Sequence, residues 1–392
     1  MPRTLSRRVT DSPPYLFAEL DKAEQAARAR GIDVIRLSIG DPDLPSPPFV
    51  IEDAARRLSD SKYHRYPPYR GTSFFTENII EYMNRRFGVE LTPENVLCLI
   101  GAKEGIAHLT FGVVDPGGLS IHHEPGYMVA SIISGFAGGE AYFRPLLPSN
   151  GFLLDYHTIP ADVTARANIL WVNHPGNPTG AVAPKEYYDG LVEWAQKNDV
   201  WLGSDLAYSE NYYGIENRPA SLLAAPGAMD CAIEFHSFSK IFNMTGWRIG
   251  WACGNAELVG ALAAIKSNLD TSQFGAIADA AAAGLNHPDA SGWMSENRER
   301  MRARRDMVCG ALRECGIEVT PPAASLYVWS PLPPGVTDSI AFAAELLEKT
   351  GVLIAPGRGY GPSGEGFFRI SLTYAEAELE EAMRRLREYL RK

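Results

Sequence analysis

Three short apolar runs in the middle of the chain each end in side chains able to do chemistry. Residues 168–172 run into Asn173-His174-Pro175-Gly176-Asn177-Pro178-Thr179-Gly180, and 200–203 into Ser204-Asp205-Leu206-Ala207-Tyr208. Residues 232–235 run into His236-Ser237-Phe238-Ser239-Lys240, followed by Thr245-Gly246-Trp247-Arg248. Taken singly, each has an ordinary explanation. Asn-Pro-x-Gly is a turn sequence, a strand-end Asp caps helices, and a lone Lys is usually at the surface. Together they match one chemistry. An aldehyde cofactor needs an amine for a Schiff base. A pyridine ring used as an electron sink needs a carboxylate at its nitrogen. A phosphate needs hydroxyls, an Arg and backbone N–H groups.

The elements that must position these residues alternate between strand and helix character. Short apolar runs are separated by helical stretches such as 185–197, with further helical spacing at 74–87 and 103–113. That pattern predicts a mostly parallel sheet covered on both faces, with ligands beyond the carboxyl ends of its strands. Residues 15–30 read as a helix ended by Gly31, and 32–39 as a short strand ending at Gly40. The last third reads as a separate α+β lobe: a charged helix over 294–315, a strand at 326–330, a helix at 338–350 and a C-terminal helix. Thr373 and Glu376 fit a capping box for that last helix. The expected division is a large α/β domain over 46–285 and a smaller domain built from 1–45 together with 286–392.

The chain has 392 residues, 37 Lys+Arg against 47 Asp+Glu, and a formal net charge of -10. Such a balance argues against nucleic acid or an anionic membrane as main partner, and leaves room for a small anionic ligand. The five cysteines, Cys98, Cys231, Cys253, Cys309 and Cys315, have neither C-x-x-C nor metal-type spacing, so no metal site and no disulfide framework is expected. The opening MPRTLSRRVTDSPPYLF lacks the apolar core of a secretory signal. No apolar run approaches the roughly 18 residues of a membrane span. A cytoplasmic protein is expected.

At this point the sequence resembles a family. S-x-S-K with Arg eight residues after the Lys, together with NPTG and D-x-A-Y in that order, is similar to the fold-type I, pyridoxal 5′-phosphate-dependent aminotransferases of class I/II. The resemblance runs from Tyr15 to the C-terminal helix. It implies an α/β fold with a large, mostly parallel seven-stranded sheet and a smaller α+β domain. It makes Lys240 the lysine of the internal aldimine and the carrier of the proton that yields a quinonoid intermediate. Asp205 becomes the partner of the pyridinium nitrogen. Tyr208 and Asn177 become donors to the ring oxygen, and Asn177 also borders the substrate. Ser237, Ser239, Arg248 and the 101–103 loop (Gly101, Ala102, and Lys103 through its backbone) become the phosphate cup. Tyr127 stacks on the ring. Tyr66 reaches the phosphate of a neighbouring subunit, which implies a homodimer. Arg369 binds the substrate α-carboxylate, with Gly40 approaching it and Tyr15 near the substrate side chain.

Within the family, PPYLFAEL, SIGDPDLPSP, HRYPPYRG, LIGAKEGIAHL, FHSFSKIFNMTGWRIG and GFFRISLT look like the short-form LL-diaminopimelate aminotransferases. That implies transfer of an amino group from an L-amino acid, such as a diamino or dicarboxylic acid, to a 2-oxo acid such as 2-oxoglutarate. The chain departs from the group's pattern at Met128, Ala130, His174, Gly176, Ala278 and 325–329, positions expected near the distal end of the substrate. The same cofactor set also serves β- or γ-elimination, replacement and cyclisation, which is the alternative reading. A non-catalytic regulator of this fold would need a DNA-binding segment, for which the chain has neither length nor basic patch.

Overall fold

The computed structural model describes residues 3–11 and 16–391. Its centre is a seven-stranded sheet. In spatial order the strands are Val96–Leu99, Gly250–Gly254, Ala232–Ser237, Trp201–Asp205, Ala167–Val172, Leu119–Glu124 and Glu140–Pro145. Only Gly250–Gly254 runs against its neighbours; the other adjacent pairs are parallel. The central strands are short apolar runs because both faces are covered. Ala102–Val113 and Ala256–Leu269 pack on one face through Ile106, Leu109, Leu258 and Leu262. Ser73–Phe87, Lys185–Asn198 and Gly275–Leu285 help close the other around Ile79, Leu191, Ala281 and Trp251.

A second core gathers the C-terminal third. Tyr327–Pro331 and Phe367–Ser371 are antiparallel, and Ala355–Pro356 adds a third strand beside Phe367–Ser371. Helices Ala290–Glu314, Ser339–Thr350 and Glu376–Leu390 bury Val308, Leu312, Leu346, Leu379 and Leu386 against them. The helix Leu16–Ala29 joins this lobe, with Leu20 and Ala27 against Trp329, Leu353 and Tyr360. Among the described residues no helix is long and apolar enough to cross a membrane. All five cysteines are free thiols.

Two local expectations fail, for one reason. Of the strand expected over 32–39, only Ile35–Arg36 is formed, in parallel with Val352–Leu353. After Leu37 the backbone leaves the ladder and crosses towards the large sheet. The capping box at Thr373 and Glu376 does not form: the helix begins at Glu376 with Ala375 as an N-cap that makes no side-chain bond. Thr373 Oγ1 donates instead to Ile39 O (3.2 Å), and Glu376 accepts from Arg304 Nε (3.0 Å). Ile39 of the crossing segment and Arg304 of helix Ala290–Glu314 take the groups that local helix chemistry would have used.

Arg304 ties this crossing down. It is 1% exposed in its side chain and makes a two-pronged contact with Asp43 (2.7 and 2.8 Å). It also donates to Leu372 O at 3.1 Å. Its partners are partly exposed, so they can recover water when it is lost. Arg304→Ala is expected to lower unfolding stability by about 2–3 kcal/mol, read from the urea midpoint of the purified protein.

Candidate active site

Parallel strands end at the same edge of a sheet, and here three of them end on one cleft of about 460 Å³. Ala167–Val172, Trp201–Asp205 and Ala232–Ser237 are neighbours in register, with Val172 opposite Ser204 and Asp205 opposite Phe235. The cleft is lined by Asn177, Asp205, Tyr208, Ser237, Ser239 and Lys240 from these ends. Arg369 enters from the C-terminal lobe and Gly40 from the crossing segment. Residues remote in sequence thus meet at the strand ends, where open α/β sheets bind ligands.

Lys240 lies in the one-turn helix Phe238–Ile241, whose N-cap Ser237 accepts from Ser239 N at 3.3 Å. Its Nζ donates to Gly40 O at 2.5 Å. Burial in the cleft pulls the Lys240 ammonium below the usual lysine range; Tyr327 and Asp41 oppose the shift, and Arg369 and Arg248 add to it. A lysine so lowered is a better nucleophile and proton carrier near neutral pH.

Asp205 is buried, and its carboxyl is pushed up to about 7 by that burial, with Ala207 N–H (3.2 Å) holding it back only in part. Asn173 Nδ2 donates to Asp205 O at 2.8 Å and so fixes the strand end. A carboxylate this poor in partners is suited to receive a cationic N–H. The raised value also makes a stability prediction. Between about pH 4 and 7 the unfolded carboxyl is ionised while the folded one keeps its proton, so stability falls as pH rises through that window. The penalty is complete above about pH 7. Asp205→Asn is therefore expected to stabilise cofactor-stripped protein at pH 8 by about 2–4 kcal/mol, and by much less at pH 4. Thermal unfolding at the two pH values reads this difference.

Arg369 is 1% exposed. Its Nη1 donates to Asn177 Oδ1 at 2.8 Å and its Nη2 to Ser38 O at 2.5 Å, while Nε has no hydrogen-bond partner among the described residues. A buried guanidinium with a donor to spare suits a carboxylate. Beneath it lies Tyr327, with the guanidinium carbon 3.8 Å from the ring centroid. The Tyr327 hydroxyl is 3.0 Å from that of Tyr208. Burial alone would raise the Tyr327 hydroxyl, but the Arg369 and Lys240 charges outweigh it and hold it below the usual tyrosine range. Gly40 has no space for a side chain: a Cβ there would fall 2.0 Å from Tyr327 Oη.

The anion end is built at the start of helix Ala102–Val113. Its N-cap Gly101 has φ +120°, and a Cβ there would fall 2.8 Å from Arg248 Nη2. Ala102 and Lys103 of the first turn line the cleft with Arg248, Ser237 and Ser239, the make-up of a phosphate cradle. Arg248, itself in the left-handed region, donates from Nη1 to Thr245 O at 2.7 Å. Ala102, Lys103 and Tyr127 line the same cleft.

Two sequence-derived positions stand apart. Tyr66 is 88% exposed and borders a separate cavity with Tyr63, Thr72 and Asp279. Tyr15 lies outside the described residues. The departures from the relatives' pattern at Met128, Ala130, His174, Gly176 and Ala278 do not line the cleft. His174 stacks on His123 behind it, and Ala278 is buried in the core. Of the departures, Tyr327 within 325–329 does line the cleft, while Met128 and Ala130 border an adjoining pocket with Asp205. Sequence reading did not assign Phe17, Asp21, Ile39, Ile106 or Thr245, all on the cleft, and placed Tyr327 only within the 325–329 departure expected near the substrate. Tyr327 needed the register. It stands opposite Ser371, two residues from Arg369, so the two side chains share one face as diagonal neighbours.

Comparison with known proteins agrees with this geometry. The sequence profile of the family described as "Aminotransferase class I and II" matches residues 32–386. A protein of Nitratidesulfovibrio vulgaris named LL-diaminopimelate aminotransferase is 47% identical over 97% of this chain and 98% of its own. One of the same name from Moorella thermoacetica is 45% identical over 99% and 98%. Among solved structures, substrate-bound BacF from Bacillus subtilis has a TM-score of 0.94 at 30% identity, covering 99% of this chain and 98% of its own. The Thermus thermophilus aspartate aminotransferase with maleate has a TM-score of 0.90 at 31% identity, covering 99% and 100%.

Proposed function

The chain belongs to the class I and II aminotransferase family, and on that premise we propose that it takes the amino group of LL-diaminopimelate and passes it to 2-oxoglutarate, as a homodimer in the cytoplasm. It is a pyridoxal 5′-phosphate enzyme acting on amino and 2-oxo acids. The observation that carries the reading is the convergence of Lys240, Asp205 and Arg369 on one cleft that ends in an anion cradle. The choice of donor is supported by relatives of that name spanning nearly the whole chain. We assign residues 46–285 to the cofactor-binding domain, and 1–45 with 286–392 to a second domain.

The cleft fits the cofactor. It offers an amine, a buried carboxylate, and a cradle at Gly101 that only a glycine leaves open. Ser237, Ser239, Arg248 and the N–H groups of 101–103 would hold the phosphate end. Asp205 would keep a proton on the ring nitrogen, Tyr208 and Asn177 would donate to the ring oxygen, and Tyr127 would pack on the ring face. When bound, pyridoxal 5′-phosphate supplies an aldehyde carbon that accepts the amino group and a ring that draws off the Cα electron pair. Arg369 grips the α-carboxylate and so fixes which Cα bond faces Lys240. Lys240 Nζ would take the Cα proton and hold it for return, which is general acid–base work at a single nitrogen. The homodimer rests on Tyr66, which with Tyr69 and Phe74 leaves aromatic surface exposed beside the cavity at Tyr63.

The test is a panel of amino donors against 2-oxoglutarate, followed by donor loss and glutamate formation. LL-diaminopimelate is expected to give the highest kcat/KM. Absence of turnover with it, beside rapid turnover of aspartate or an aromatic amino acid, would reassign the donor. Product formed without any 2-oxo acid consumed would favour elimination or replacement.

A further inference from the structure

Behind the anion cradle lies a buried charge cluster that the mechanism above does not use. Glu104, His108 and Asp270 bring ligand atoms within 4.8 Å of one another. The place a cation would take there is filled by the chain itself. Lys266, 1% exposed, donates from Nζ to Glu104 Oε1 (3.1 Å) and to Asp270 Oδ1 and Oδ2 (2.8 and 3.0 Å). His108 Nδ1 lies 2.7 Å from the same Glu104 oxygen.

Glu104 is in the first turn of the helix whose N–H groups face the anion. Its other oxygen accepts from Ile100 N at 3.1 Å, and its own N–H goes to Gly101 O at 3.2 Å. It therefore clasps the loop that shapes the cradle. The position is costly. A carboxylate in the first turn favours the helix dipole, but it opposes a dianion bound at that same N-terminus. Glu104's side chain is 10% exposed, so water screens it little, whereas Asp270's is 25% exposed. Asp270 extends the cluster: its Oδ1 accepts from Ser272 N at 2.7 Å, and the next residue, Gln273, donates to Arg248 O.

We propose that Lys266 is a positioning residue of the cofactor phosphate site: its ammonium neutralises Glu104, so that this carboxylate can hold the 100–102 loop without repelling the phosphate. The proposal rests on the cofactor site assigned above, and acts on the phosphate alone. No proton or bond changes hands in it.

Binding of pyridoxal 5′-phosphate and of pyridoxal, which lacks the phosphate, to the full-length protein separates the possibilities. Failure of the wild type to bind pyridoxal 5′-phosphate would defeat the cofactor site itself. Given that binding, Lys266→Met is expected to weaken pyridoxal 5′-phosphate by about 30-fold and pyridoxal by less than about 3-fold. Lys266→Met with Glu104→Gln is expected to recover to within about 5-fold of wild type, since the bare charge is gone. Equal weakening of both ligands, no weakening, or a double variant no better than the single one would overturn the proposal. Should Lys266→Met not fold, Glu104→Gln decides alone. It should bind pyridoxal 5′-phosphate as tightly as wild type, and a loss of about tenfold or more would mean the ion pair only braces the loop.

Discussion

Lys240→Ala is expected to lower kcat by at least about 10⁴-fold while leaving the fold intact. On the proposed roles, two functions would vanish with one amine: covalent attachment of the cofactor and the shuttling of the Cα proton. Neither can pass to a guanidinium in the cleft. Arg248 and Arg369 also line it, but a guanidinium stays protonated at working pH. Lys103 is also on the cleft wall, in the first turn of the helix at the anion end. Lys240 Nζ bonds only a backbone carbonyl, Gly40 O, in the described chain, so its loss strands no buried charge. Borohydride treatment followed by mass spectrometry should fix the cofactor to the wild-type chain and leave the variant unlabelled. A variant that retained more than about a hundredth of wild-type kcat would remove Lys240 from the reaction.

Arg369→Leu is expected to lower kcat/KM for α-amino acids by about 10³-fold. A charge-assisted partner for the substrate carboxylate, on an arginine itself 1% exposed, would be deleted. Arg369→Lys should recover only part of this, because an ammonium cannot offer the planar fork. The control is a primary amine without a carboxylate. Its slow turnover should be unchanged by either substitution, whereas a general collapse of the cleft would depress it equally. Loss confined to kcat, with KM for the amino donor unmoved, would argue that Arg369 acts after binding.

These two residues also mark how unevenly the site could be read. Lys240 was legible because its meaning is local. Ser237, Ser239 and Lys240 sit within one turn after a buried strand, and Asp205 and Asn177 hold the same place after its neighbours. The strands themselves were visible as short apolar runs, since burial on both faces removes any need for alternation. Arg369 was legible from its motif, but its surroundings were not. Ser38, Asn177 and Tyr327 reach it from three remote parts of the chain.

The failures have the same origin. Thr373 and Glu376 carry a sound capping signal, yet Ile39 and Arg304 claim them. Residues 32–39 carry strand propensity, yet Ile32 closes the preceding helix and the chain after Leu37 leaves the ladder to cross the cleft. Lys266 reads as one more charge on a helix, and nothing near it in sequence says that it lies buried between Glu104 and Asp270.

What the amino-acid sequence determined by itself was the order of strands and helices and the chemical set at the strand ends. Both are written in periodicity and turn chemistry over spans of a few residues. Only the tertiary structure decided which neighbours surround that set. Tyr327 meets Arg369 through the pairing of Tyr327–Pro331 with Phe367–Ser371, and Gly40 meets Lys240 because the 38–43 segment is drawn across by Arg304 and Arg369. Register and crossing are settled by burial and hydrogen bonding summed over contacts hundreds of residues apart, and no local pattern records that sum.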